Sequence, residues 1–168
     1  MMMPPINFKN WIDSNRDLLK PPVCNKVVYE NSEFIIMVVG GPNARKDYHV
    51  DEGEEFFYQL EGKMILRIME NKKPKDIHIN EGEIFLLSPK VPHSPQRFKN
   101  TVGLVIERKR TESELDGFQW YCDSCHALLY EKFFSLKSIE KDLPLIFDEF
   151  WENIKSRTCS ECGEILEK

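Results

Sequence analysis

Along this chain the apolar positions change their spacing twice. From about Asn7 to Leu19 they recur at helical intervals, with Phe8, Trp11, Ile12, Leu18 and Leu19 on one stripe and Pro21 and Pro22 closing the segment. A helix packed on the main body is expected there. From Lys26 to about Arg110 the apolar residues fall instead into short β-prone runs: NKVVYE, EFIIMVVG, EEFFYQL, KMILRIME, DIHIN, EIFLLS and TVGLVIERKR. Gly, Pro, Asn and Asp separate them at close intervals, and no helical pattern intervenes. That rhythm predicts an antiparallel, all-β sandwich or barrel; a barrel of about eight strands with its mouth lined by inward side chains is the natural form, and the jelly roll is its common case. After Arg110 the charged TESELDG stretch reads as a linker. A second helical stripe follows, through Leu143, Ile146, Phe147, Phe150, Trp151 and Ile154, and is expected to pack a small C-terminal tail on the barrel. The expected division is therefore a barrel with its N-terminal helix over residues 1–110 and a linker with a metal-binding tail over 111–168.

Composition sets bounds on what this architecture can do. A chain of 168 residues has room for one well-buried domain and a small appendage. Its 41% hydrophobic and 30% charged residues are those of an ordinary globular protein. A formal charge of -5 argues against a nucleic-acid surface or an anionic membrane partner. The opening MMMPPINFKNW has no apolar core of a signal peptide, and no apolar run is long enough to span a bilayer, so a cytoplasmic protein is expected. Four of its five cysteines form two CxxC pairs, and in a reducing compartment such pairs favour a metal over disulfides.

Two groups of residues carry candidate chemistry. In GGPNARKDYHVDEGEEFFYQLEG the even separations of Arg45, His49 and Glu55 place them on one side if the strand geometry runs through Gly53. The segment GEIFLLSPKVPHSPQR supplies a second histidine, His93. Two histidines and a carboxylate form the facial ligand set of mononuclear non-haem iron(II). Cys122 and Cys125 with Cys159 and Cys162 make a tetrahedral thiolate set that suits zinc or iron, and His126 beside them is surplus to it. Bland roles fall to the rest. Cys24 is a small core residue, His78 in IHIN faces outward, and Asp51, Glu52 and Glu54 are solvated acids or lie behind the site. Glu107 could simply pair with Arg108 or Lys109.

The spacing of His49, Glu55 and Gly62, with Gly82 and His93 in the second segment, is similar to the two motifs of the cupin superfamily. Asp51 stands where many cupins have a second histidine, and Ser88, Lys90 and Arg97 replace the usual proline, glycine and asparagine. With these departures the strings above, together with GLVIERKR and the CxxC pairs, resemble the bacterial-type 3-hydroxyanthranilate 3,4-dioxygenase family. The resemblance implies iron(II) on His49, Glu55 and His93 and a rubredoxin-like iron on the four cysteines. It also implies Arg97 as a clamp for the substrate carboxylate, Arg45 on the same rim, and Glu107 as a hydrogen-bonding and proton-accepting group. The implied reaction is extradiol-type opening of a small anionic aromatic ring by O2. Its product, 2-amino-3-carboxymuconate semialdehyde, leads to quinolinate and NAD in tryptophan catabolism through kynurenine. A homodimer is expected by analogy. The alternatives are another metal-cupin enzyme, such as a thiol dioxygenase or sugar isomerase, and a non-enzymatic metal-binding module whose tail recruits a partner.

Overall fold

The computed structural model describes residues 4–21, 24–136 and 139–168. The opening Met1–Met3 and the helix-closing Pro22 lie outside the described residues. The first stripe forms α1 (Phe8–Asn15), capped by the Asn7 side chain, which accepts from the Asn10 N–H at 3.0 Å. It then tightens into a 3-10 turn over Arg16–Leu19. Ile12 and Leu19 are buried against Val38 and Val102, so the segment covers one end of the barrel as its pattern predicts.

Among the described residues eleven strands make two facing antiparallel sheets. One sheet has the order β1 (Asn25–Val27), β2 (Phe34–Gly40), β9 (Val102–Arg108), β4 (Glu55–Glu61), β7 (Ile84–Leu87). The other runs β11 (Leu128–Phe134), β10 (Asp116–Tyr121), β3 (Asp47–Val50), β8 (His93–Arg97), β5 (Met64–Glu70), β6 (Lys73–Ile79). Alternation along each strand decides which residues meet between the sheets. Phe57, Met64, Leu66, Ile68, Ile79, Leu87 and Val105 form an apolar cluster in the interior. Beside it the inward positions of β3, β4, β8 and β9 are polar: Asp47, His49, Glu55, His93, Arg97 and Glu107. His78 is exposed on β6, as IHIN suggests.

The chain after Arg110 departs from the expected linker and helical tail. Asp116, inside TESELDG, begins β10, which pairs with β3 and carries the six-stranded sheet outward to β11. The signal was present in the alternation of DGFQWY, whose Phe118 and Trp120 face inward and are buried. Helices α2 (Ile139–Glu152) and α3 (Ile154–Arg157) follow. On α2, Ile146 and Phe150 pack against Trp120, with the Phe150 and Trp120 rings stacked at 4.4 Å. Ile154 does not join this stripe. It stands after the α2 terminus, at the start of α3 behind the Asn153 cap, and is 49% exposed. Among the described residues no helix is long and apolar enough to cross a membrane.

Candidate metal centre

His49 and His93 face each other because β3 and β8 are antiparallel and these two residues are register partners. Glu55 arrives from the opposite sheet, on β4, where its register partner is Glu107 of β9. The expectation that one continuous strand aligns Arg45, His49 and Glu55 is therefore corrected: the chain turns in the acidic segment Asp51–Glu54 and changes sheet. The three side chains converge across the barrel, not along a strand.

The convergence is close. Glu55 Oε1 lies 3.0 Å from His93 Nε2 and 3.5 Å from His49 Nδ1, yet it is buried and aligned for a hydrogen bond with neither. Each imidazole is oriented from behind. His93 Nδ1 sits 2.9 Å from the Val91 carbonyl, and His49 Nε2 sits 2.8 Å from Asp116 Oδ1. With those outer nitrogens donating, both inner nitrogens face Glu55, and they offer lone pairs to a metal once His49 gives up its second proton. A buried carboxylate oxygen without a hydrogen bond, facing two such nitrogens, is the donor set a divalent transition metal fits. Electrostatics agree. Burial alone would raise the Glu55 carboxyl, but the neighbouring imidazoles hold it well below the usual carboxylate range. Burial opposes charge on His49, yet Asp116 and Glu55 push its pKa up to about 9. Without a metal the site thus keeps a proton where a cation would sit.

The cavity beside these residues has a volume of about 470 Å³, and Phe57, Val105 and Phe118 form its apolar walls. Leu143, Phe147 and Trp151 of the second helical stripe also line it, so the α2 face serves the pocket as well as the packing of the tail. Arg97, four residues beyond His93 on β8, is 5% exposed and has no carboxylate partner among the described residues. Its guanidinium meets Gln59 Oε1 at 3.5 Å. Burial, and then the charge of Arg45, lower its pKa to about 10. A guanidinium keeps its proton at neutral pH regardless, so the shift marks a buried cation lacking an anion. Arg45 differs: its guanidinium is already paired with Asp47, with Nε 3.1 Å from Oδ2.

Gly103 makes room for Arg97. A Cβ added there would lie 2.5 Å from Arg97 Nη1 and 3.1 Å from Gln59 Oε1. Gly103→Ala is expected to displace the guanidinium and raise the KM for an anionic substrate at least tenfold, with metal content unchanged; steady-state kinetics with metal analysis checks both.

Glu107 is buried on the cavity wall, and burial with the Glu55 charge beside it raises its carboxyl pKa. Its partner is neither Arg108, which pairs with Glu114, nor Lys109. It is Arg110, whose Nη1 lies 2.6 Å from Glu107 Oε1. Sequence spacing singles out none of Arg110, Asp116 and Asp51. The sequence groups Asp51 with Glu52 and Glu54, but it is 4% exposed and faces the same cluster. The structure thus adds buried carboxylates at Asp47, Asp51 and Asp116 and one guanidinium at Arg110. Five carboxylates (Asp47, Asp51, Glu55, Glu107 and Asp116) stand against three guanidiniums (Arg45, Arg97 and Arg110), a formal charge that a divalent ion would balance, so preference for an anion rests on the position of Arg97.

The four cysteines form a separate cluster of free thiols, with Cys122 Sγ 3.6 Å from Cys162 Sγ and Cys125 Sγ 3.5 Å from Cys159 Sγ. A tetrahedron with metal–sulfur arms of about 2.3 Å has edges of about 3.8 Å, so the thiols stand near the spacing a zinc or iron ion needs. Each knuckle closes with a left-handed residue, His126 (φ 64) after the first and Gly163 (φ 77) after the second. His126 is a turn residue here and not a member of the cluster.

A model of the 3-hydroxyanthranilic acid dioxygenase family matches residues 1–151. A protein of Xanthomonas euvesicatoria pv. vesicatoria named 3-hydroxyanthranilate 3,4-dioxygenase is 56% identical over 165 residues, covering 98% of this chain and 93% of its own. One of the same name from Jannaschia sp. is 52% identical, covering 95% of this chain and 89% of its own. Among solved structures, a cupin-2 domain containing protein from Shewanella frigidimarina aligns with a TM-score of 0.48 at 19% identity, over 62% of this chain and 94% of that one. With a family model spanning most of its length and relatives matched almost end to end, this chain belongs to the 3-hydroxyanthranilic acid dioxygenase family.

Proposed function

We propose that the protein opens the ring of 3-hydroxyanthranilate with O2 to give 2-amino-3-carboxymuconate semialdehyde, the precursor of quinolinate, using iron(II). The observation that carries the proposal is Arg97, a buried cation without a counter-ion among the described residues, beside the His49, Glu55 and His93 donor set in one cavity. His49, Glu55 and His93 would hold the ion. When bound, iron(II) supplies open positions for an o-aminophenol and for dioxygen, which lets a closed-shell ring react with O2. The remaining work belongs to the chain. Arg97 binds the ring carboxylate through its guanidinium fork. Arg45, held by Asp47, borders the same space. Glu107, its carboxyl raised by burial, accepts the proton of the ring hydroxyl as the substrate binds. Phe57, Val105, Phe118 and Phe147 exclude water and sandwich a planar ring. Both oxygen atoms enter the product, so no external reductant is needed.

The test is a substrate panel on iron(II)-loaded protein. Turnover of 3-hydroxyanthranilate, with at least a thirtyfold loss in kcat/KM for 2-aminophenol, which lacks the carboxylate, is expected. Equal turnover of 2-aminophenol, or turnover of cysteine instead, would overturn the assignment in favour of another metal-cupin activity.

Cytoplasmic residence and a homodimer belong to the same proposal. The first is supported by the five free thiols. The second is supported by the outer face of the five-stranded sheet, where Phe34, Ile84 and Leu86 are exposed around half-buried Phe56 and Ile106.

The second ion, iron or zinc, has a structural role in this account, and the two cysteine knuckles bracket α2 and hence Phe147 and Trp151. Cys122→Ser with Cys159→Ser is expected to leave ring cleavage measurable, lower the melting temperature and raise KM severalfold. Thermal melts and kinetics of the double variant measure this, and complete loss of kcat in folded protein would contradict it.

A further inference from the structure

Arg110 joins groups that otherwise belong to different parts of the site. It follows the end of β9, and its guanidinium turns back into the barrel with only 12% of the side chain exposed. Nη1 donates to Glu107 Oε1 at 2.6 Å, while Nε and Nη2 donate to Asp116 Oδ1 at 3.0 and 2.8 Å. Nη2 is also 2.9 Å from Asp51 Oδ2, close enough for ion pairing though not aligned for a hydrogen bond. Asp51 is tied in turn to the Gly53 N–H at 2.9 Å, in the turn that leads to Glu55. Asp116, with no exposed side-chain surface, is the acceptor that orients His49.

We propose that Arg110 is the positioning residue of the centre: it fixes His49 through Asp116 and fixes Glu107 directly, so that one guanidinium sets both a metal-ligand imidazole and the proton-accepting carboxylate. The inference rests on the proposed function only for its kinetic part. The geometry explains why an arginine is required. Three carboxylates in different directions need a planar fork with several donors, whereas a lysine is a point charge and can satisfy one well. Groups that hold a ligand histidine from behind typically change metal affinity or activity by about 10- to 100-fold when removed. If Arg110 and Asp116 act as one unit on His49, their losses should also fail to add.

The test is calorimetric titration of cobalt(II) into protein whose thiolate cluster has first been filled with zinc, together with kcat and KM for 3-hydroxyanthranilate on the iron(II) form. Arg110→Lys keeps a cation among the carboxylates and serves as the variant least prone to misfold; Asp116→Asn and the double variant complete the cycle. Expected are a tenfold or greater loss of cobalt affinity in each single variant, a double variant no weaker than Asp116→Asn alone, and a fall in kcat with KM changed less than threefold. Cobalt affinity equal to the parent protein in folded Arg110→Lys would overturn the proposal, as would losses that add in full or a change confined to the melting temperature. The cobalt readout needs no substrate. A parent protein that binds cobalt but fails to turn over 3-hydroxyanthranilate would therefore refute the activity while leaving the positioning role decided by the titration.

Discussion

Replacing Arg97 by methionine is expected to raise KM for 3-hydroxyanthranilate by about 30-fold to a few thousandfold while raising, not lowering, the melting temperature. The two effects have one cause. Arg97 is a buried guanidinium with a single long contact to Gln59 and, among the described residues, no acid to balance it, which is costly in the free protein. The substrate carboxylate would complete the pair. Truncating one partner of a buried, hydrogen-bonded charge pair costs about 2–5 kcal/mol of binding, or about 30-fold to a few thousandfold in affinity. Methionine fills much of the same volume and removes the uncompensated charge, and such exchanges at functional sites often gain stability at the expense of activity. Steady-state kinetics and calorimetric melts of the same preparation measure both. A variant with unchanged KM would remove Arg97 from substrate binding. One with lower KM and lower stability would assign it to packing.

His49→Ala should abolish metal binding in the barrel and with it turnover, leaving the thiolate-bound ion in place. The structure gives the reason for a full loss. The site is built on two imidazoles and one carboxylate, and Glu55 Oε1 without His49 retains one imidazole, that of His93. The two sites share no ligand, so the cysteine cluster keeps its metal. Metal analysis before and after mutation distinguishes them: loss of both ions would indicate a folding defect, and loss of neither would exclude His49 as a ligand. The same histidine predicts a pH dependence in the parent protein. Since Asp116 and Glu55 raise its pKa to about 9, a metal entering at neutral pH must expel a proton. Apparent metal affinity should rise with pH below about 9 and level off above it.

The barrel was legible from strand rhythm, because an antiparallel sheet with one face inward leaves a period of two in the chain. Both histidines and Glu55 were legible through their spacing, although the parity argument behind Arg45, His49 and Glu55 assumed one strand where the chain turns between two sheets. Arg97 could be named only through the family resemblance, and Glu107 through that resemblance and its place among the apolar residues of a readable strand. Arg110 could not. Its role depends on the chain folding back through TESELDG so that Asp116 meets it six residues later, and a run with an acid at every second position looks the same whether it is solvated or closed on itself. Asp51 was hidden for a related reason. Among Asp51, Glu52 and Glu54 the acid type is uniform, and only the backbone turn decides that Asp51 alone is buried with the cluster. Strands β10 and β11 were missed because a charged stretch before them and paired cysteines around them suggested a separate tail.

Oxygen uptake by anaerobically prepared, iron(II)-loaded protein given 3-hydroxyanthranilate tests the central claim most directly, with the absorbance of the conjugated semialdehyde followed in parallel. The account predicts one O2 consumed per substrate and a transient absorbance that decays to quinolinate. No uptake by protein whose barrel site is full of iron would contradict it.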